Sequence, residues 1–150
     1  LWDNYPDSLS IPIEGNASNI YLLMAGTTNH MQSRIDNGML KVCYEDGSEQ
    51  CIPLTNPYNW APIEQDYFVD KKAFQLSTKR PYRIHLKSGI VSDNLQDELK
   101  IDGVYGRRID GGGGILIDFP IDKSKRLKSL NVITLSNDVI IGVIGVTLQR

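Results

Sequence analysis

The chain is poor in the residues that most reaction chemistry draws on. Its 150 residues include two cysteines and two histidines. Cys43 and Cys51 are too few for a disulfide scaffold or for a structural zinc site, which takes four ligands. His30 and His85 stand far apart in the chain, and no Gly-x-Ser-x-Gly elbow accompanies them. No spacing of Asp, Glu, His and Cys makes a metal site, although a calcium ion held by loop carbonyls would leave little trace in a sequence. No cofactor motif is present. Gly111 to Gly114 invites comparison with a phosphate loop, but no Lys-Ser or Lys-Thr follows. Ile115-Leu116-Ile117 reads instead as a strand, so the glycine run is a flexible connector. A cationic excess is missing too: the net charge is −2, which argues against nucleic acid as a partner. No apolar run reaches the roughly 20 residues of a membrane span. The chain opens at Leu1-Trp2 without an initiator methionine or a visible leader, as expected of a piece excised from a longer protein.

What is present is an ordinary globular balance, 41% apolar and 23% charged, on a length that suits one domain over residues 1–150. Charge is uneven. Residues 1–70 carry ten acids and two bases, and residues 71–150 carry eight acids and fourteen bases. Two halves that interleave in one domain would complement each other.

The organising stretch is Gly38 to Trp60. Leu40, Val42 and Tyr44 alternate before Asp46-Gly47, and Ile52 and Leu54 alternate after it. For those apolar sets to share one face, the loop must have an odd number of residues, because side chains alternate with period two. A three-residue loop with Gly47 in the left-handed region meets that condition. Cys43 and Cys51 then lie on the opposite face as diagonal neighbours, expected as two small buried thiols. Elsewhere, Ile11-Pro12-Ile13 suits an edge strand, since proline donates nothing to a ladder. Ile20 to Ala25 is apolar on both alternating faces, as in a central strand covered on both sides. Tyr67–Val69 and Phe74–Leu76 are further short strands. In Tyr82–Leu86 the spacing predicts Tyr82, Ile84 and Leu86 on the core side, with Arg83 and His85 in solvent. Asp93 to Leu99 offers one or two helical turns capped by Asp93. Ile115, Ile117 and Phe119 share a face, Leu130, Val132 and Thr134 alternate, and Val139–Leu148 is a β-branched strand with Gly142 and Gly145 at a bulge or close approach. Eight to ten short strands with frequent turns predict an all-β antiparallel sandwich or barrel.

The most ligand-like stretch follows the hairpin: Asn56-Pro57-Tyr58-Asn59-Trp60, continuing through Pro62, Glu64, Asp66 and Tyr67. Sugars present apolar C–H faces and many hydroxyls. Exposed rings beside amides and carboxylates on a proline-stiffened loop match them. Trp60 is the expected stacking platform, with Tyr58, Asn59, Glu64, Asp66 and Tyr67 around it and His30 contributed by a polar turn. The competing reading turns Trp60 inward as a plug for one end of the sandwich. Glu64, Asp66 and Asp70 are also the carboxylates that a small glycosidase would need, but clustering among eighteen acids is common by chance.

Several stretches together resemble a known type of domain: Ser10–Ile13, Tyr21–Gly26, Val42–Ser48, Asn56–Trp60, and the ending from Leu127–Leu130 through Asn137–Gly142 to Val146–Leu148. They look like the jelly-roll, galactose-binding-like accessory module of large secreted bacterial glycoside-hydrolase-like proteins. The resemblance implies a jelly-roll β-sandwich that is not itself an enzyme and uses no cofactor. It implies a partner that is either carbohydrate or a neighbouring catalytic domain of the same chain. It also implies a periplasmic, outer-surface or secreted setting. Two roles follow, a carbohydrate-binding module or a purely structural interdomain module.

Overall fold

The computed structural model describes residues 5–28, 33–66, 80–101 and 108–150. Nine strands and one short helix follow in chain order: β1 Ser8–Gly15, β2 Asn19–Thr27, β3 Asp36–Tyr44, β4 Glu49–Thr55, β5 Arg83–His85, β6 Val91–Ser92, α1 Leu95–Glu98, β7 Gly113–Pro120, β8 Leu127–Thr134 and β9 Ile140–Gln149. They form a four-stranded sheet ordered β1-β8-β3-β4 and a five-stranded sheet ordered β6-β5-β7-β2-β9. All of their pairings are antiparallel. The protein is an all-β, two-sheet sandwich. The segments 67–69 and 74–76, read as strands from sequence, lie outside the described residues.

The β3–β4 hairpin follows the parity argument. Leu40 pairs with Ile52 and Cys43 with Glu49. Tyr44 and Ser48 close a three-residue loop, through Tyr44 N–H to Ser48 O at 3.0 Å and Gly47 N–H to Tyr44 O at 3.1 Å. Gly47 sits at φ +87°, a left-handed conformation in which a Cβ would be strained. Asp46 fastens the turn by accepting from the Ser48 amide at 2.8 Å and from its hydroxyl at 2.5 Å. Leu40, Val42, Tyr44 and Leu54 are buried in the core, and Ile52 packs against it. The cysteines differ from expectation: both are free, but Cys51 is exposed and Cys43 half-buried. They project from the outer face of the four-stranded sheet, where Asn131 Nδ2 donates to Cys43 Sγ at 3.5 Å.

The core is built from the inward residues of both sheets: Ile20, Leu22 and Met24 of β2, Ile115, Ile117 and Phe119 of β7, and Leu127, Leu130 and Val132 of β8. Each such side chain contributes roughly 1.5–3 kcal/mol when fully buried. β2 is flanked on both edges, by β7 and β9, as its sequence predicts. Its outer face is not sealed, however, since Leu23 is half-buried and Tyr21 exposed.

Strand β5 is inverted relative to the sequence reading. Arg83 and His85 face inward and are buried, whereas Tyr82 and Leu86 are exposed and Ile84 half-buried. Arg83 points into a lattice of acceptors: Gln65 O at 2.7 Å, Pro62 O and Gly113 O at 2.9 Å each, and the carboxylate of Asp66 at 3.4 Å. His85 places Nδ1 2.7 Å from Ser88 Oγ and Nε2 2.7 Å from Asp110 O. A polar group can be buried when it is hydrogen-bonded, and here all the partners but Ser88 come from segments remote in sequence. Helix α1 occupies its expected place, but its cap is Asn94 rather than Asp93.

The inversion gives the two outer faces different characters. On the four-stranded sheet, Lys41, Cys51 and Asn131 stand at adjacent register positions, with an ion pair from Lys41 to Glu49 at 3.4 Å. On the five-stranded sheet the outward row runs Val91, Ile84, Gly114, and the next runs Leu116, Leu23, Gly145. A Cβ on Gly114 would meet Leu23 Cδ1 at 2.9 Å and Leu86 Cδ2 at 3.6 Å, so those two leucines lie over the glycine. Tyr21, Tyr82 and Asp118 border this apolar surface.

Candidate functional site

The loop after β4 is built by side chains that satisfy backbone. Its peptide Asn56–Pro57 is cis. Asn59 accepts from the Thr55 amide at 2.7 Å and donates to Pro53 O at 2.9 Å. That use of both ends of its amide fixes a tight turn and leaves Asn59 a structural task. The turn sends the next residue inward. Trp60 is fully buried within the hydrophobic core, and a Cβ on Gly26 would lie only 2.8 Å from its Cζ2. The expectation of an exposed stacking platform at Trp60 is therefore corrected: the indole fills the interior and has no face for a ligand. Its N–H has no acceptor among the described residues, as fits a ring held there by packing.

The carboxylates of the same loop separate. Glu64 is exposed, and its backbone carbonyl accepts from the Ile109 amide at 2.7 Å. Asp66 is buried, and its carboxylate meets Arg80 at 2.5 Å, Arg83 at 3.4 Å and the Gln96 amide at 3.0 Å. As a buried ion-pair anchor between the loop, β5 and α1, Asp66 is not presented to a sugar, contrary to the sequence expectation. Tyr67 and His30 lie outside the described residues. Of the predicted residues that are described, only Tyr58 and Asn59 come together at one opening.

That opening is a cleft of about 300 Å³ lined by Ile52, Tyr58, Asn59, Arg80, Pro81, Tyr82, Leu116, Ile117, Asp118 and Phe119. It forms where the short strand β5 leaves β7, so that the far half of β7 has only β2 beside it. Tyr58 and Tyr82 bring phenol rings, Arg80 brings a guanidinium already turned towards Asp66, and Asp118 is exposed. Tyr82, Arg80 and Asp118 are the residues that sequence reasoning missed. The strict alternation of 82–86 had assigned Tyr82 to the core, and nothing local tied residue 118 to residue 58. A larger groove of about 510 Å³ opens between the sheets at the side of β1 and β9, lined in part by Leu9, Val132, Leu135 and Ile141.

No family model, curated protein or solved structure matches this chain. Function is therefore argued from the geometry. Among the described residues there is no group of three or more His, Cys, Asp and Glu placed to hold a metal ion. No helix among them is long and apolar enough to cross a membrane.

Among the described residues, four exposed groups are shifted from their ordinary values by their neighbours. Asp46 is held below the usual aspartate range by the Ser48 hydroxyl and amide, and Asp122 likewise by Ser124. The hydrogen bond and charge of Lys87 lower Asp110, and Asp110 raises Lys87 in return. All four sit in turns and ion pairs away from the cleft.

Proposed function

We propose that this domain is a non-catalytic accessory module that works by packing against a neighbouring protein domain. The observation that carries the reading is the apolar outer face of the five-stranded sheet. Leu23, Ile84, Leu86, Val91 and Leu116 cluster there around glycines, while the outer face of the opposite sheet intersperses Met39, Pro53 and Ile133 with Lys41, Glu49, Ser129, Asn131 and the two cysteines. A contiguous exposed apolar surface of this kind is the usual mark of an interaction site. The burial of Trp60 supports the same reading, because it removes the best sugar platform from the surface.

Covalent labelling of tyrosine tests the proposal. Tyr21 and Tyr82 border the face and are exposed in the domain alone. In the intact natural protein they should be protected relative to the isolated domain, whereas Tyr5 on another surface should label equally in both. Equal labelling of Tyr21 and Tyr82 in the two preparations removes the reading.

A second reading, carbohydrate binding, is favoured by the cleft between Tyr58 and Tyr82. Its volume of about 300 Å³ is at the lower end of ligand sites, roughly 300–1,000 Å³. Two phenol rings beside Arg80 and Asp118 supply C–H stacking and hydroxyl partners. A calorimetric screen of soluble glycans tests it. Binding that Tyr82→Ala abolishes without a change in thermal midpoint supports a sugar site there, and an empty screen leaves the packing role alone.

A further inference from the structure

Ser88 lies in the turn after β5, where the chain reverses through Gly89 N–H to His85 O at 2.7 Å, and it is exposed. Its hydroxyl stands 2.7 Å from Nδ1 of the buried His85, and Nε2 of the same ring stands 2.7 Å from the carbonyl oxygen of Asp110. These contacts fix the proton positions in the neutral ring. A backbone carbonyl can only accept, so Nε2 carries the proton and Nδ1 is the acceptor. Ser88 therefore donates to Nδ1. Hydroxyl, imidazole and carbonyl stand in series as nucleophile, base and the group that orients the base. The Ile90 amide donates to the same serine oxygen at 3.3 Å, which holds the hydroxyl in place and leaves its second lone pair for a bond to carbon. The backbone amides of Lys87 and Ser88 have no acceptor among the described residues, so the turn keeps two donors for a developing oxyanion. Ser48 and Ser124 are placed differently. They donate to Asp46 and Asp122, at 2.5 and 2.6 Å, and those carboxylates, held below the usual aspartate range, are poor bases.

We propose that Ser88 is a nucleophilic serine, a covalent modification site that accepts a small acyl group from an activated ester. Oγ bonds to the ester carbonyl carbon as its proton passes to Nδ1 of His85. The bond from that carbon to the leaving oxygen then breaks, and the leaving oxygen takes the proton from the imidazolium. The chain gains a serine ester and the donor departs as its free alcohol, with nothing oxidised or reduced. A base placed in this way contributes about 10²–10⁴-fold to the rate. Neither cleft described above is lined by Ser88. The matching donors are therefore acetyl-sized esters with a good leaving group, which need no pocket to hold them. The site takes one acyl group per chain, so it stands beside the packing role and does not depend on it.

Treatment of the folded domain with p-nitrophenyl acetate tests the proposal. Acetyl groups are mapped by tandem mass spectrometry before and after neutral hydroxylamine, which cleaves serine esters and spares lysine amides. Ser88 should carry the hydroxylamine-labile acetyl at least about a hundredfold above Ser48 and Ser124. Ser88→Ala should remove that label. His85→Gln keeps a donor and an acceptor but no basic nitrogen, and it should slow labelling of Ser88 by about 10²–10⁴-fold. Unfolding the unaltered chain in urea should bring Ser88 down to the level of the other serines, which supplies the same comparison if the His85→Gln chain does not fold. Three results overturn the proposal: no labile acetyl on Ser88, label spread evenly over the exposed serines, or labelling of Ser88 that neither His85→Gln in a folded chain nor urea diminishes.

Discussion

Replacing Trp60 by alanine should destabilise the domain severely, whatever the domain binds. The ring is fully buried, and it sits against Gly26 so closely that even a methyl there would lie 2.8 Å from Cζ2. Truncating a buried tryptophan to alanine costs about 3–5 kcal/mol, from lost transfer energy and the cavity left behind. Domains of this kind have about 5–15 kcal/mol of stability in total, so roughly a fifth or more is at stake. For chains of about 150–250 residues each kcal/mol moves the midpoint by about 2–4 °C, giving an expected fall of about 6–20 °C. Trp60→Phe should cost much less, since it keeps an aromatic ring and removes a buried N–H that has no acceptor among the described residues. The assay is thermal unfolding followed by far-ultraviolet circular dichroism. Fluorescence in a Trp2→Phe background supplies a second readout, with blue-shifted emission from the native state. A midpoint lowered by under about 2 °C, with red-shifted native emission, would refute the placement of this ring and return Trp60 to the surface.

The buried ion pairs give a second expectation. Asp66→Asn leaves the inward guanidinium of Arg83 without its carboxylate and should cost about 3–5 kcal/mol in urea unfolding, whereas Glu64→Gln on the same loop should be nearly silent. On the hairpin, Val42→Asp buries an unpaired charge and should cost several kcal/mol or prevent folding, while Lys41→Asp, on the outer face, should be mild; equal losses would mean both faces are dry. Acid dependence follows from Asp46 and Asp122. Both carboxylates are held low by hydrogen bonds to the ionised form, so their contribution is complete above the ordinary aspartate value of 3.8. It fades as pH falls through their lowered native values. Carboxyl-detected NMR should place both midpoints below that of a model aspartate, and midpoints at the ordinary value would contradict the turn geometry.

Much of the sandwich was written locally. The β3–β4 register follows from parity together with the turn residue: strict alternation with one apolar face requires an odd loop, and Gly47 at positive φ selects three residues. Pro12 marked an edge strand, and the inward sets of β2, β7 and β8 could be read from alternation. Such features depend on neighbours within a few residues or on a two-residue period, which a sequence displays directly.

What failed to read depended on partners brought in from far along the chain. Alternation in Tyr82–Leu86 was real, but hydrophobicity alone chose the wrong side. Arg83 and His85 turn inward because Asp66, the carbonyls of Pro62, Gln65 and Gly113, Ser88 and Asp110 surround them once the sheets close. The same closure took Trp60 and Asp66 out of the predicted sugar site. It brought Tyr82 and Asp118 to Tyr58, and it left the apolar row of the five-stranded sheet on the outside. The sequence determined which residues alternate and where the chain turns. Only the tertiary structure decided which alternating face is inside, because burial of a polar side chain depends on whether distant acceptors can meet it there.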